Sequence, residues 1–206
     1  MQDNLRHRTT GRQDGVHDAL RVGVTGHRIL TDFDKLHAGL EKALDTIQQA
    51  FPDRRIVVLS SLAEGADRLA AQHALLRPGA GLVVPLPLSV KEYLRDFDSE
   101  CSKVEFLGLL KRADSVVELP PARTRNGSYA AAGHYVADNC DVLLALWDGR
   151  ESQGHGGTAE VVARVRTHNR PVVIVRAGNR KPGTHEPTTL GPEQGRVIAE
   201  RMGPAR

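Results

Sequence analysis

The chain has 206 residues, 40% hydrophobic and 26% charged, with a formal net charge of +3. At about 150 residues per domain this length favours one domain with tails, large enough to bury roughly 70% of its unfolded surface without disulfide staples. The only cysteines, Cys101 and Cys140, exclude a disulfide scaffold and a zinc site built from four cysteines, and fit a reducing cytosol, so a cytoplasmic location is expected.

The sequence pI of 9.1 looks basic, but three net charges over this length form no electrostatic footprint for nucleic acid. Aromatic residues make up only 4% of the chain, which opposes a base-stacking surface. No apolar run reaches the ~18 residues of a membrane span, so no membrane partner is expected. The first residues, MQDNLRHRTTGRQDG, contain no apolar stretch and do not read as a signal peptide.

In chain order, residues 1–19 read as a polar flexible tail. Residues 20–178 alternate. Short aliphatic runs occur at 21–26 (RVGVTG), 55–61 (RIVVLSS), 81–88 (GLVVPLPL), 115–120 (SVVELP), 141–149 (DVLLALWDG) and 171–178 (PVVIVRAG). They are continuous, as expected of strands covered on both faces. Helical stripes lie between them. Phe33, Leu36, Leu40, Ala43, Leu44 and Ile47 form the first, and Ala66, Leu69, Ala70, His73 and Leu76 the second. Val104, Leu107 and Leu110 mark a third; residues 129–139 and 158–168 carry a fourth and a fifth. Residues 179–206 read as a Gly/Pro-rich tail with a short helix near 193–201. The expected fold is α/β: a Rossmann-like, doubly wound, mostly parallel six-stranded sheet with helices on both faces, formed by a single domain over 20–178. Ligands of such sheets bind at the carboxyl ends of the strands, here after residues 26, 61, 88, 120, 149 and 178.

Three of those ends carry suggestive chemistry. The first is Gly23-Val24-Thr25-Gly26-His27-Arg28. Glycine admits close backbone approach, and Thr25, His27 and Arg28 add a hydroxyl, an imidazole and a fork-shaped cation. Thr31 to Asp34 has a spacing resembling a capping box. Neither GxGxxG nor GxxxxGK[ST] is present. The second end is Ser60-Ser61-Leu62-Ala63-Glu64-Gly65-Ala66-Asp67, where hydroxyls and Glu64 precede a helix whose first N–H groups favour an anion or a ribose oxygen; Asp67 can equally be a simple dipole partner. The third is Asp148-Gly149, followed by Gly154-His155-Gly156-Gly157-Thr158-Ala159-Glu160. Its glycine density suits a ligand pressed against the backbone. Thr158 is the expected N-cap, and Glu160 in the first turn is held ionised by the helix dipole. Arg123, Arg125 and Tyr129 follow the fourth strand and could reach a phosphate or base, although a solvated loop is the simpler reading. His73 and Cys140 read as packed residues. No HExxH, CxxC or GxSxG motif occurs, so neither a metal site nor a serine-hydrolase elbow is expected, and no cofactor is implied.

Taken together, VGVTGHR, SSLAEGADRLAAQHAL and YAAAGHYVADNCDVLLALWDGRESQGHGGTAEVV resemble the SLOG superfamily. That group unites the Smf/DprA DNA-processing domain, the lonely-guy hydrolases and the YpsA-like proteins, and the third run is most similar to the YpsA-like branch. The resemblance covers about residues 21–178. It implies a Rossmann-like fold that binds a nucleotide or nucleotide-derived ligand, and a homo-oligomer. Carried over by position, Thr25, Gly26, His27, Arg28, Ser60, Ser61, Gly65, Asp67, Gly156, Gly157 and Thr158 would line the site. One departure matters. The lonely-guy motif PGGxGTxxE has two residues between Thr and Glu, whereas Ala159 alone separates Thr158 from Glu160, a shift of ~100° around the helix. A nucleotide-binding or sensing module is therefore the leading expectation. The alternative is a nucleoside 5′-monophosphate phosphoribohydrolase with Glu160 and Arg28 as catalytic residues, or a deoxyribosyltransferase-like activity. DNA processing comes third, opposed by charge and composition.

Overall fold

The computed structural model describes residues 19–151 and 157–203. Its centre is a seven-stranded sheet of order β4-β3-β2-β1-β5-β6-β7. The strands are β1 (Ala19–Gly26), β2 (Arg55–Leu59), β3 (Gly81–Leu86), β4 (Ser115–Glu118), β5 (Val142–Trp147), β6 (Val172–Arg176) and β7 (Val197–Glu200). All neighbours are parallel except β6 and β7. The helices are α1 (Phe33–Ala50), α2 (Ala66–Ala74), α3 (Val90–Tyr93), α4 (Glu100–Lys111), α5 (Arg125–Asn139) and α6 (Thr158–Thr167). The chain steps outward from β1 to β4, and α5 returns it to place β5 beside β1. The strand order therefore reverses between β1 and β5, where such sheets open a crevice.

The apolar runs of β5 and β6 are continuous because these central strands serve two layers. In β5, Val142, Leu144 and Leu146 belong to the core shared with α1 and α2, while Leu143, Ala145 and Trp147 face α5 and α6. β6 divides in the same way, with Val173 and Val175 on one side and Val172 and Ile174 on the other. This is the period of two expected of a pleated strand. In β1, Leu20, Val22 and Val24 fill the first layer, and Gly23 leaves room on the other face for Cys140 and Val136.

Several expectations are corrected. The C-terminal segment supplies a seventh strand: the helix expected near 193–201 is a 3-10 turn at Gly191–Glu193 followed by β7. Four residues are too few for periodicity to tell strand from helix, and the Arg166–Glu200 ion pair, at 2.6 Å, ties β7 to α6. β4 is an exposed edge rather than a doubly covered strand. In α4 the buried residues are Phe106 and Leu109, whereas Val104 and Leu107 face outward. The aromatic cluster of Tyr93, Phe97 and Phe106 fixes that rotation, because an aromatic ring carries the largest apolar area. The capping box before α1 does not form. Asp32 adopts a left-handed conformation, makes no side-chain cap, and gives its carboxylate to the Thr189 hydroxyl. Gly157, not Thr158, is the N-cap of α6, and α5 begins at Arg125, one turn earlier than expected.

Candidate functional site

The carboxyl ends of β1, β2, β5 and β6 enclose an open cleft of about 1210 Å³. Its walls are stitched together by backbone. The Ala66 N–H donates to the His27 carbonyl at 3.0 Å, which joins the loop after β1 to the start of α2. Gly65 has φ +79° and lies against the Arg28 carbonyl, where a Cβ would collide. A Cβ on Gly26 would likewise strike Ala66 and lie 2.7 Å from the Leu146 carbonyl oxygen. These glycines serve the docking of loop on loop.

His27 closes the link to β5. The Asp148 N–H donates to His27 Nε2 at 3.1 Å. An Nε2 that accepts this bond carries no proton, so the 3.3 Å approach of the Asp148 carboxylate is not an ion pair. Burial holds the imidazole below its ordinary value, outweighing the upward pull of Asp148. His27 is a neutral strut between two strand ends.

Arg28 is different. Its guanidinium lies 5.3 Å from the Tyr129 ring centroid, borders the cleft, and makes no ion pair with a described residue. Tyr129 is itself held, donating to Asp96 and accepting from Arg125 Nε at 3.0 Å. Across the cleft stands the N-terminus of α6. Glu160 N–H is the first to bond back, to the Gly157 carbonyl at 3.0 Å. Thr158 and Ala159 precede it and line the cleft, which puts the positive end of the helix dipole at the edge of that space.

The start of α2 has another character. Its first amide is taken by His27, and Asp67 occupies the floor. This carboxyl is only 9% exposed. It accepts from Ala63 N–H at 3.4 Å, and desolvation pushes its pKa up to about 6, against the pull of Ala63, Ser60, Arg28 and Arg68. Ser60 is fully buried and accepts from Leu62 N–H at 3.1 Å, pinning Leu62 at φ +55°. Arg68 is also buried, donating to the Leu62 carbonyl at 3.0 Å and to Glu105 at 2.9 Å, with its guanidinium 4.3 Å from the Phe97 ring centroid. The loop is thus held from both ends. Glu64 accepts from the Ser102 hydroxyl and is engaged by the α4 terminus.

Of the residues named from sequence, Thr25, Gly26, His27, Arg28, Ser61 and Glu64 line this cleft, together with Asp67, Tyr129, Asp148, Gly157 and Thr158. Others do not. Ser60 and Gly65 shape the loops behind it. Arg123 is exposed and outside it. Gly149, at φ +80°, makes room for Arg176 Nη1, which donates to the Asp148 carbonyl. Glu160 is not among the lining residues; its Oε1 lies 2.7 Å from His134 Nε2 on α5. Gly156 lies outside the described residues.

Sequence pattern does not single out several other lining residues. Tyr93 and Asp96 follow β3, and Asn126 begins α5. A hairpin after β6 supplies Asn179, Arg180, Lys181 and Thr188. It is closed by an Arg180–Pro187 bridge and anchored by Gln194, which is 4% exposed. The Gln194 Oε1 accepts from Gly178 and Leu190 N–H, and its Nε2 donates to the Thr31 carbonyl. The Gly and Pro residues of this stretch punctuate a turn, not a tail.

No group of three or more His, Cys, Asp or Glu that could hold a metal occurs among the described residues, and none of their helices is long and apolar enough to cross a membrane. No family model matches the chain, and no curated protein matches it. Three chains among solved structures match. One is the X-ray structure of TM1055, a structural-genomics target, with 15% identity and a TM-score of 0.45 over 74% of this chain and 72% of that one.

Proposed function

We propose that the protein binds a nucleotide or nucleotide-derived ligand at the carboxyl edge of its sheet, as a binding or sensing module of SLOG type. The supporting observation is that Arg28, which makes no ion pair with a described residue, shares one cleft with the N-terminal residues of α6. A cation and a helix N-terminus together recognise an anionic group such as a phosphate. The cleft exceeds the ~300–1,000 Å³ of ordinary small-molecule pockets, which leaves room for a base and sugar beside the phosphate.

A thermal-shift series over nucleoside mono-, di- and cyclic phosphates and ADP-ribose tests the reading. Stabilisation by at least one at millimolar concentration, lost in Arg28→Ala, is expected. No stabilisation by any of them contradicts it. Cleavage of an N-glycosidic bond is the weaker reading, because Glu160, the nucleophile such a reaction would use, bonds His134 and does not line the cleft. Base release from AMP at the uncatalysed rate is expected.

A further inference from the structure

The anion-friendly end of the cleft lies at Arg28 and α6. The floor below α2 has the opposite chemistry. Asp67 brings a buried carboxylate there, and Tyr93, 1% exposed, lines the same cleft. The Tyr93 ring packs against Phe97 at 5.0 Å and edge-on to Phe106 at 5.5 Å between centroids. Its hydroxyl has no hydrogen-bond partner among the described residues. Tyr93 lines the cleft, and a hydroxyl that meets cleft space with no protein partner is free to bond water or a ligand. The Tyr93 ring also lies 6.3 Å from the Tyr129 ring, over which the Arg28 guanidinium sits at 5.3 Å, and all three line the cleft with Asp67.

We propose that Asp67 and Tyr93 hold a vicinal diol of the ligand, as a ribose presents, while its anionic group sits against Arg28 and the start of α6. This rests on the nucleotide reading above and names the part of the ligand that reading leaves open. A carboxylate accepts only, and it repels a phosphate, so the floor is no second anion site. A neutral phenol donates one hydrogen bond and accepts another. One sugar hydroxyl donates to Asp67, and its neighbour accepts from Tyr93. Loss of one such buried partner is worth about tenfold in affinity.

The test is calorimetric titration of the full chain with the four ribonucleoside 5′-monophosphates and their 2′-deoxy counterparts, for the wild type, Tyr93→Phe and Asp67→Asn. The phenylalanine keeps the ring packing and removes only the hydroxyl. The expected result is about tenfold weaker binding of the 2′-deoxy form by the wild type, with that preference reduced toward one in both variants. Equal binding of ribo and deoxy forms by the wild type, or a preference unchanged in the variants, overturns the diol site and leaves the nucleotide reading standing. Failure of every nucleotide to bind the wild type overturns both.

Discussion

Gly65 meets Arg28 backbone to backbone, with no space for a Cβ between the Gly65 Cα and the Arg28 carbonyl. That contact, with the adjacent Ala66–His27 hydrogen bond, joins the loop that carries Arg28 to the helix that carries Asp67. Gly65→Ala forces an alanine into φ +79° and into a carbonyl at once. A loss of about 2–4 kcal/mol of unfolding free energy is expected from strain and collision together, with weakened nucleotide binding. Gly79→Ala is the control. Its φ is +70° but its Cβ would meet open space, so about 1 kcal/mol is expected. Urea denaturation of both variants reads the difference.

Asp67 makes a pH-dependent contribution of defined sign. Its pKa is raised from 3.8 to about 6 in the folded protein, so between those values the native state binds more protons than the unfolded chain. Stability from this group is full below pH 3.8 and falls as pH rises through 6. At 1.36 kcal/mol per unit the total is about 3 kcal/mol. Asp67→Asn is therefore expected to stabilise the protein relative to wild type at about pH 7.5, with the gain fading near pH 4. Tm measured across that range checks it. A stabilising substitution that weakens binding is the mark of a residue kept for function.

His27 works in the opposite direction. Burial depresses its pKa below the ordinary 6.5, so the unfolded chain takes up protons first. Stability from the neutral imidazole is present above pH 6.5 and lost as the medium acidifies through the folded value. His27→Gln keeps an acceptor for the Asp148 N–H and removes the titration. The variant is expected to show a flatter fall in stability as pH drops below 6.5 than the wild type.

Gln194 joins the hairpin after β6 to the loop after β1 through its three hydrogen bonds. Gln194→Ala strands two N–H groups and one carbonyl, for an expected loss of about 2–4 kcal/mol. Amide exchange is expected to accelerate across residues 178–190 while β1 and β5 stay protected. Unchanged exchange in that segment contradicts the anchoring role.

Much of the fold was legible in the sequence because strand and helix periods are strong signals. The stripe from Leu36 to Ile47 is buried as expected, and the runs of β5 and β6 are covered on both faces. β7, four residues long, was not legible, and β4 was legible as a strand but not as an exposed edge. In the site, loops at strand ends were readable, but the use of each residue was not. The resemblance puts Gly65 in the site lining, yet its missing Cβ accommodates Arg28. The glutamate of the third loop looked cleft-facing, yet Glu160 lies against His134. Tyr93 carried no motif; only tertiary packing of Phe97 and Phe106 brings it to the floor. One-dimensional patterns report which face of an element is buried, not which neighbour lies across a loop.

Backbone-amide NMR during titration with the tightest-binding nucleotide measures the shared cleft most directly. Saturable shifts concentrated at 26–28, 61–67 and 157–159, with a phosphorus resonance responding in parallel, are predicted. Shifts confined to the outer faces of α1 and α4, or none in these three loops at saturation, would contradict the account.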